Sequence, residues 1–342
     1  RGIFCYIKDI DTGKFWSNTH QPTLQPAKNY ETIFSQGHAE IRRHDYGIDT
    51  KTEMVISPED DTEMRRVRIT NRSNTVRVLE VTSYAEIVMA SQASDEAHPA
   101  FSNLFVQTEI MPEHKSVLCT RRPRSEEEVP PWMFHLMDVR GAVAEAVSYE
   151  TDRMQFIGRG RSLANPQAMQ IDELSGNQGS VLDPILSVRY RITLKPNQVA
   201  TIDLIYGITE TRDSCIALMH KYQDQHYKNR AVELAWTHSQ VTLRQINATE
   251  ADAQLYGRLA ASVIYANPNL RADSALILNN FRGQSWLWSH SISGDLPIVL
   301  LHIYDQESME LVKQLIQAHA YWRLKGLAVD LAGRDHLSLE TL

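Results

Sequence analysis

The sequence predicts a mainly β fold, an antiparallel sandwich, followed by a helical C-terminal part. Up to about residue 210, strand-like segments alternate apolar and polar residues, which is typical of sheets with one buried face. Helices do not alternate regularly with these strands, which argues against a parallel sheet. After residue 210 the apolar spacing changes to the 3.6-residue period of helices.

The strand prediction rests mainly on two segments. In residues 79–87 every second side chain, from Leu79 to Ile87, lies on one face that is apolar except for Ser83, and a slip in the alternation at Val78–Leu79 predicts a β-bulge. Residues 186–194 alternate most regularly, with arginines, serine and threonine on the face predicted to be exposed. Pro196-Asn197 is a turn signal, and we expect it to join this strand to a partner that includes residues 202–206.

Two long segments interrupt the strand pattern. Residues 121–131 combine arginines, glutamates and prolines, and residues 158–180 are rich in Gly, Ser, Asn and Gln. Because connections between elements usually run over the surface, we expect both to be solvated loops.

Three helices are predicted in the C-terminal part. Residues 232–246 form the first apolar stripe at helical spacing. Thr249 and Asp252 match a capping box that opens the second helix, and the proline within 267–269 ends it. The third helix is predicted over residues 307–325.

Composition and charge exclude several classes of function. The 342 residues carry a formal net charge of −7 and no long basic run, which argues against a nucleic-acid partner. The three cysteines, Cys5, Cys119 and Cys215, are widely spaced, so we expect free thiols, a reducing compartment, and neither a metal nor a cofactor. Apolar runs stay below the ~20 residues of a membrane span. The chain also begins at Arg1 inside a strand-like segment, so we expect a soluble piece cut from a longer protein.

The most unusual stretch is FRGQSWLWSHSISGDLPIVLL (281–301). Indole rings stack on the apolar faces of sugars, and polar side chains in the same stretch can hydrogen-bond hydroxyl groups. Packing into a core explains the two tryptophans equally well. The candidate substrate-binding residues are Arg282, Gln284, Trp286, Trp288, His290 and Asp295.

A catalytic site is not predicted. Cleavage of a glycosidic bond by hydrolysis usually needs two carboxylates, whereas phosphorolysis needs one acid beside a bound phosphate. Asp295 is the only acidic residue in the stretch, and its position before Leu296-Pro297 favours a turn role. We therefore assign no catalytic residue.

Several ordered segments resemble one family, the cyclic β-1,2-glucan synthases, in their region related to the glycoside hydrolase family 94 carbohydrate phosphorylases. The matching segments include DIDTGKFWS (9–17), SPEDDTEMRRVRITNRS (57–73), LEVTSYAEIV (79–88), HPAFSNLFVQTE (98–109), YETDRMQFIGRGR (149–161), VLDPILSVRYRITL (181–194), AWTHSQVTLR (235–244), GQSWLWSHSISGDLPIVLL (283–301) and AHAYWRLKGLAVDL (318–331).

The resemblance implies a mutarotase-like super-sandwich over residues 1–210. It also implies linker helices over 211–331 that lead toward an (α/α)6 barrel absent from this chain. The family's general acid and phosphate-binding residues lie in that barrel, so none is carried over. The family usually has small residues where this chain has Trp286 and 289–291, and the resemblance stops after Leu331, so 332–342 is expected to be a tail or truncation scar.

The sequence thus predicts a non-catalytic sandwich and linker module of a cyclic β-1,2-glucan synthase. The resemblance implies a parent glycosyltransferase at the cytoplasmic face of the inner membrane, whose phosphorylase-like part processes the glucan chain. The expected partners are β-1,2-glucan, the remaining domains of the parent and a second copy in a homodimer. A free-standing carbohydrate-binding module and a complete carbohydrate phosphorylase are the alternatives.

Overall fold

A computed structural model describes residues 2–304 and 308–335. In chain order, the strands and helices are β1 (Ile3–Asp9), β2 (Phe15–Ser17), β3 (Asn29–Ser35), β4 (His38–Asp45), β5 (Ile48–Ile56), β6 (Thr62–Asn71), β7 (Arg77–Glu86), α1 (Gln92–Ala97), α2 (Pro99–Asn103), β8 (Val106–Met111), β9 (Ser116–Arg121), β10 (Trp132–Arg140), β11 (Val143–Asp152), α3 (Arg153–Ile157), β12 (Pro184–Leu194), β13 (Val199–Thr209), α4 (Arg212–Gln223), α5 (Gln225–Gln245), α6 (Glu250–Ile264), α7 (Ser274–Leu278), β14 (Ile298–Ile303), α8 (Ser308–Leu324) and β15 (Asp330–Asp335). The chain divides into two compact units, residues 1–236 and residues 237–342.

The N-terminal unit is a sandwich of two antiparallel sheets. The first sheet has five strands in the order β11-β12-β7-β1-β2, and the second has eight in the order β3-β4-β5-β6-β13-β10-β9-β8. A continuous apolar core between them includes Val81 and Val188 from the first sheet and Ile69 and Leu204 from the second. The predicted fold class, a mainly β antiparallel sandwich with a helical C-terminal part, is confirmed.

The predicted pairing of the strand at 186–194 with the strand at 202–206 is wrong. These strands, β12 and β13, lie in different sheets: β12 pairs with β11 and β7, and β13 pairs with β6 and β10. Their apolar faces meet across the core instead of lying side by side. The Pro196-Asn197 link therefore turns the chain from one sheet to the other, which its residue pattern did not distinguish from a hairpin.

The five-stranded sheet is covered on both faces, so the predicted exposed face of β12 is also wrong. Ser187 and Arg189 are buried, because helix α3 and the segment after it pack on the outer face of this sheet. Arg189 donates from Nη1 to the carbonyl oxygen of Ile171 at 2.8 Å. Part of 158–180 is therefore a covering layer and not a solvated loop, whereas residues 122–127 of the other loop are exposed as predicted.

The bulge predicted at Val78–Leu79 is absent from the sheet register. Val78 lies opposite Thr193 and Leu79 opposite Ile192, without a shift. Register shifts occur instead in β11, between Ala144 and Val147 and between Glu150 and Asp152. Most residues of β7 are buried, on both faces of the strand. Such a strand need not alternate apolar and polar residues, which explains the slip.

The N-terminal unit extends beyond the last sandwich strand. Helix α4 and the first part of α5 pack on the free face of the eight-stranded sheet, with Met219, Tyr222 and Ala235 in a second apolar cluster. For this reason the compact unit continues to Trp236, whereas the boundary expected from the change of period was residue 210.

The C-terminal unit contains the predicted second and third helices as α6 and α8, and the predicted first helix begins at Gln225 as α5. It also contains a parallel strand pair that sequence reasoning missed, in which β14 and β15 are connected through α8. Residues 332–335 of the expected tail belong to β15, and 336–342 lie outside the described residues.

The predicted capping box at the start of α6 is confirmed. The Thr249 hydroxyl accepts from the Asp252 backbone N–H at 3.2 Å, and the Thr249 backbone N–H donates to Asp252 Oδ2 at 2.8 Å. We expect Thr249→Ala to lower the free energy of unfolding of the C-terminal unit by about 1 kcal/mol, measured by urea denaturation. Ser262→Ala, in the same helix but away from its cap, serves as the control. An equal loss in both variants would contradict the capping role.

Candidate functional site

The segment 281–301 begins as an irregular stretch of the C-terminal unit and ends in strand β14. Two short 3-10 turns, Gln284–Trp286 and Trp288–His290, carry four of the six candidate residues. Ser291 then adopts a left-handed conformation with φ of 59°, which ends the second turn. The Ile292 backbone N–H donates to the Leu287 carbonyl oxygen at 3.2 Å, which closes the stretch into a compact loop.

Hydrogen bonds fix the polar residues of this loop. The side-chain amide of Gln284 donates to the Ser293 carbonyl oxygen and to Asp295 Oδ1, both at 2.8 Å. The indole N–H of Trp288 donates to the same Ser293 carbonyl at 3.3 Å. Ser293 therefore organises the loop, which a sequence reading centred on side-chain chemistry did not identify.

Gly294 is required by this arrangement for two reasons. Its φ is 78°, a left-handed backbone conformation that residues other than glycine rarely adopt. A Cβ at this position would also lie 2.8 Å from Gln284 Cγ and 2.9 Å from Leu287 Cδ1. The Ser-Gly-Asp turn thus brings Asp295 back toward Gln284.

Both candidate tryptophans lie on the surface. The side chain of Trp286 is 57% exposed and that of Trp288 is 64% exposed. The Arg282 guanidinium carbon lies 4.3 Å from the centre of the Trp286 ring, in a cation–π contact. Phe281, which was not among the candidates, is 93% exposed. Its aromatic side chain next to the candidate Arg282 was a reason to include it from the sequence.

The structure brings the candidates together in two pairs, Arg282 with Trp286 and Gln284 with Asp295. His290 lies at the end of the second 3-10 turn and is exposed. Exposed indoles beside amide, guanidinium and carboxylate groups can stack on a sugar ring and hydrogen-bond its hydroxyls. Asp295 itself has turn geometry, since its backbone N–H donates to Ser293 Oγ at 3.2 Å.

The described residues were predicted to hold no metal, and the three cysteines to be free thiols. Within residues 2–304 and 308–335, no group of three or more His, Cys, Asp or Glu residues could hold a metal ion. The three cysteines are free and buried. Burial raises the pKa of Cys5 to about 12 and that of Cys215 to about 11, so both remain neutral thiols at physiological pH. In the same described part of the chain, every helix falls short of the length and apolarity that crossing a bilayer requires.

Comparison with known proteins agrees with this architecture. The family model described as glycosyl hydrolase 94, supersandwich domain, matches residues 1–225. The chain is 31% identical over 331 residues to the cyclic β-(1,2)-glucan synthase NdvB of Rhizobium meliloti (strain 1021), covering 96% of this chain and 12% of that protein. It is 21% identical over 218 residues to the solabiose phosphorylase of Paenibacillus borealis, covering 64% of this chain and 27% of that enzyme.

The fold and these matches define a super-sandwich module of the kind found in carbohydrate phosphorylases. The chain belongs to the glycosyl hydrolase 94 supersandwich family. The resemblance expected from the ordered segments is therefore confirmed. The chain spans only about an eighth to a quarter of the length of these two relatives.

Proposed function

We propose that this chain is a non-catalytic sandwich and linker module of a cyclic β-1,2-glucan synthase, and that it supports glucan chain processing by contacting the glucan. In this proposal the parent enzyme works at the cytoplasmic face of the inner membrane. The ordered similarity to the glucan synthase over 96% of the chain supports the choice of parent. Glucan itself is the proposed ligand of the tryptophan loop, residues 281–296.

The exposure of Trp286 and Trp288 is the observation that supports a contact with glucan. An indole that is more than half exposed costs free energy by leaving apolar surface in water, and sugar rings cover such surfaces in carbohydrate-binding sites. The hydrogen bonds from Gln284 and Trp288 to Ser293 hold the loop in place before a ligand arrives, which lowers the entropic cost of binding.

The non-catalytic role is supported by the single carboxylate of the tryptophan loop. Asp295 is exposed and engaged by Gln284, in a turn and not in a closed pocket. A general acid in phosphorolysis has to reach the glycosidic oxygen beside a bound phosphate. Release of glucose 1-phosphate from β-1,2-glucan and phosphate by this chain alone would contradict the proposal.

A scaffolding role is supported by apolar side chains on the C-terminal unit. Tyr265, Leu270 and Leu278 are each more than two-thirds exposed. Large apolar side chains that face solvent are typical of an interaction surface where they adjoin. We propose that the remaining domains of the parent cover it. A stable homodimer of the chain that buries these residues would contradict that assignment.

Replacing Trp286 and Trp288 together by alanine should abolish most of the glucan affinity, a loss of at least about tenfold. The double variant removes two exposed rings, so the C-terminal unit should stay folded, but the loop also loses the hydrogen bond from the Trp288 indole N–H to Ser293. Calorimetric titration with linear β-1,2-glucooligosaccharides measures the effect. Trp236→Ala is the matched control, because Trp236 is also exposed (58%) and lies outside the tryptophan loop. Unchanged affinity in the double variant would refute the contact.

A further inference from the structure

A separate cleft lies in the N-terminal unit, at one end of the five-stranded sheet. It has a volume of about 680 Å³, within the usual range for small-molecule sites. Helix α2, the end of β7, the start of α3 and residues 182–184 line it. The cleft is thus built from four separate segments of the chain.

The polar side of the cleft is a connected network. Arg153 Nε donates to Glu86 Oε1 at 3.1 Å, and Arg153 Nη1 donates to Asp183 Oδ2 at 3.2 Å. Asn103 Nδ2 donates to Asp183 Oδ1 at 2.9 Å. These bonds hold the side chains in one arrangement before any ligand binds, which is what directional recognition of hydroxyl groups requires.

The network brings charges of both signs to the cleft. The carboxylates of Glu86 and Asp183 lie beside the guanidinium of Arg153. Partial burial acts to raise the pKa of Glu86, but the hydrogen bond from the Tyr84 hydroxyl and nearby positive charges, including that of Arg153, outweigh it. The pKa of Glu86 is therefore lowered, which keeps the carboxylate ionised at neutral pH. The cleft thus offers both donors and acceptors to the hydroxyl groups of a ligand.

The remaining lining of the cleft is mainly apolar, and two of its side chains are exposed. Phe101 is 53% exposed, and Leu182 is 74% exposed. Phe101 contacts Phe105 edge-on, with ring centres 5.1 Å apart, which fixes the orientation of its ring. An aromatic ring in the same cleft as a preorganised set of amide, carboxylate and guanidinium groups suits a pyranose, which has apolar faces and hydroxyl groups at its edge.

The segments that meet at this cleft are also segments that carry the family resemblance. Glu86 lies in 79–88, Phe101 in 98–109, Arg153 in 149–161 and Asp183 in 181–194. These segments are far apart in sequence, and the packing of α2 and α3 beside the ends of β7 and β12 brings them to one place.

We propose that this cleft is a second saccharide-contact site, which binds a neutral pyranose unit of a glucan chain between Phe101 and the network formed by Asn103, Arg153 and Asp183. The inference rests on the proposed contact with glucan but not on the tryptophan loop. The ring of Phe101 covers the apolar face of the sugar, and the polar groups hydrogen-bond its hydroxyls.

The test is calorimetric titration of the whole chain with linear β-1,2-glucooligosaccharides, combined with hydrogen exchange of the backbone amides. We expect Phe101→Ala to weaken binding about tenfold. Phe34→Ala is the matched control, because Phe34 is an exposed phenylalanine of strand β3 that does not line the cleft. Bound oligosaccharide should slow exchange at residues 100–104.

The outcomes separate this inference from the proposed function. If Phe101→Ala leaves binding unchanged while the Trp286/Trp288 double variant abolishes it, the cleft is not a saccharide site and the tryptophan contact stands. If Phe101→Ala weakens binding and the double variant does not, the cleft stands and the tryptophan contact falls. No binding by the unmodified chain overturns both proposals.

Discussion

Replacing Asp203 by alanine should lower the free energy of unfolding of the N-terminal unit by about 3–5 kcal/mol. The Asp203 carboxylate, on β13, is buried and accepts from Arg66 Nε at 2.7 Å and from Arg140 Nη2 at 2.6 Å. The buried ammonium group of Lys228, on α5, lies 3.6 Å away and donates to Asp138 at 2.6 Å. Without Asp203, Arg66 would lose its carboxylate partner, and Arg140 and Lys228 would be left with Asp138, which also pairs with Lys115.

Urea denaturation followed by circular dichroism measures this loss. Glu59→Ala is the matched control, because it breaks an exposed ion pair with Arg230 that solvent screens, and it should cost far less. Asp203→Asn keeps the size of the side chain but removes its charge. We expect its loss of stability to lie between those of Asp203→Ala and Glu59→Ala. A cost for Asp203→Ala no greater than that of Glu59→Ala would show that the network contributes little.

Acid should destabilise the sandwich through His135. This side chain lies on β10 and is buried between the sheets, with Nε2 2.7 Å from the Ser83 hydroxyl and the ring stacked on Tyr206 at 4.3 Å. Burial opposes a positive charge here and lowers the pKa of His135 from 6.5 to about 3. The folded protein therefore keeps the imidazole neutral at a pH where the unfolded chain protonates it.

The sign of the pH dependence follows from proton binding. Between pH 6.5 and about 3 the unfolded chain binds one more proton at this residue, so stability falls as pH falls. We expect a loss of about 2 kcal/mol between pH 7 and pH 5, measured from urea midpoints at each pH.

A variant without the buried imidazole isolates this contribution. His135→Gln should be less stable at pH 7, and its stability should change less with pH between 7 and 5. His290→Gln removes an exposed histidine of the tryptophan loop and should leave the pH dependence of the original protein intact. An identical slope in the His135 variant and the original chain would assign the acid sensitivity to other groups.

Local patterns predicted the C-terminal helices well. The capping box at Thr249 and Asp252 is an interaction between residues three positions apart, so no distant contact was needed to identify it. The spacing of apolar residues likewise predicted α8. The strand β14 was missed, because a short apolar run reads equally as a buried strand or as part of a helix. Its partner β15 is recognised only through the crossover formed by α8.

The candidate site was predicted in composition but not in geometry. The sequence showed that tryptophans, polar side chains and glycines cluster between 281 and 301, and it left surface and core equally open. Exposure of both indoles depends on how Ser293 and Gly294 close the loop. The cleft at Phe101 could not be found from the sequence, because Glu86, Arg153 and Asp183 are distant in the chain.

The sequence by itself determined the class of the protein: strands with apolar faces, a later helical part, and ordered segments that place it in its family. These are local or collinear properties, and they need no knowledge of which strands meet. Tertiary structure alone decided that the strands on either side of Pro196-Asn197 enter different sheets. It also decided that both faces of the five-stranded sheet are buried, and that Asp203 and Lys228 share one network. The physical reason is that an apolar or charged side chain specifies the kind of surroundings it needs, and only the folded chain specifies which residues provide them.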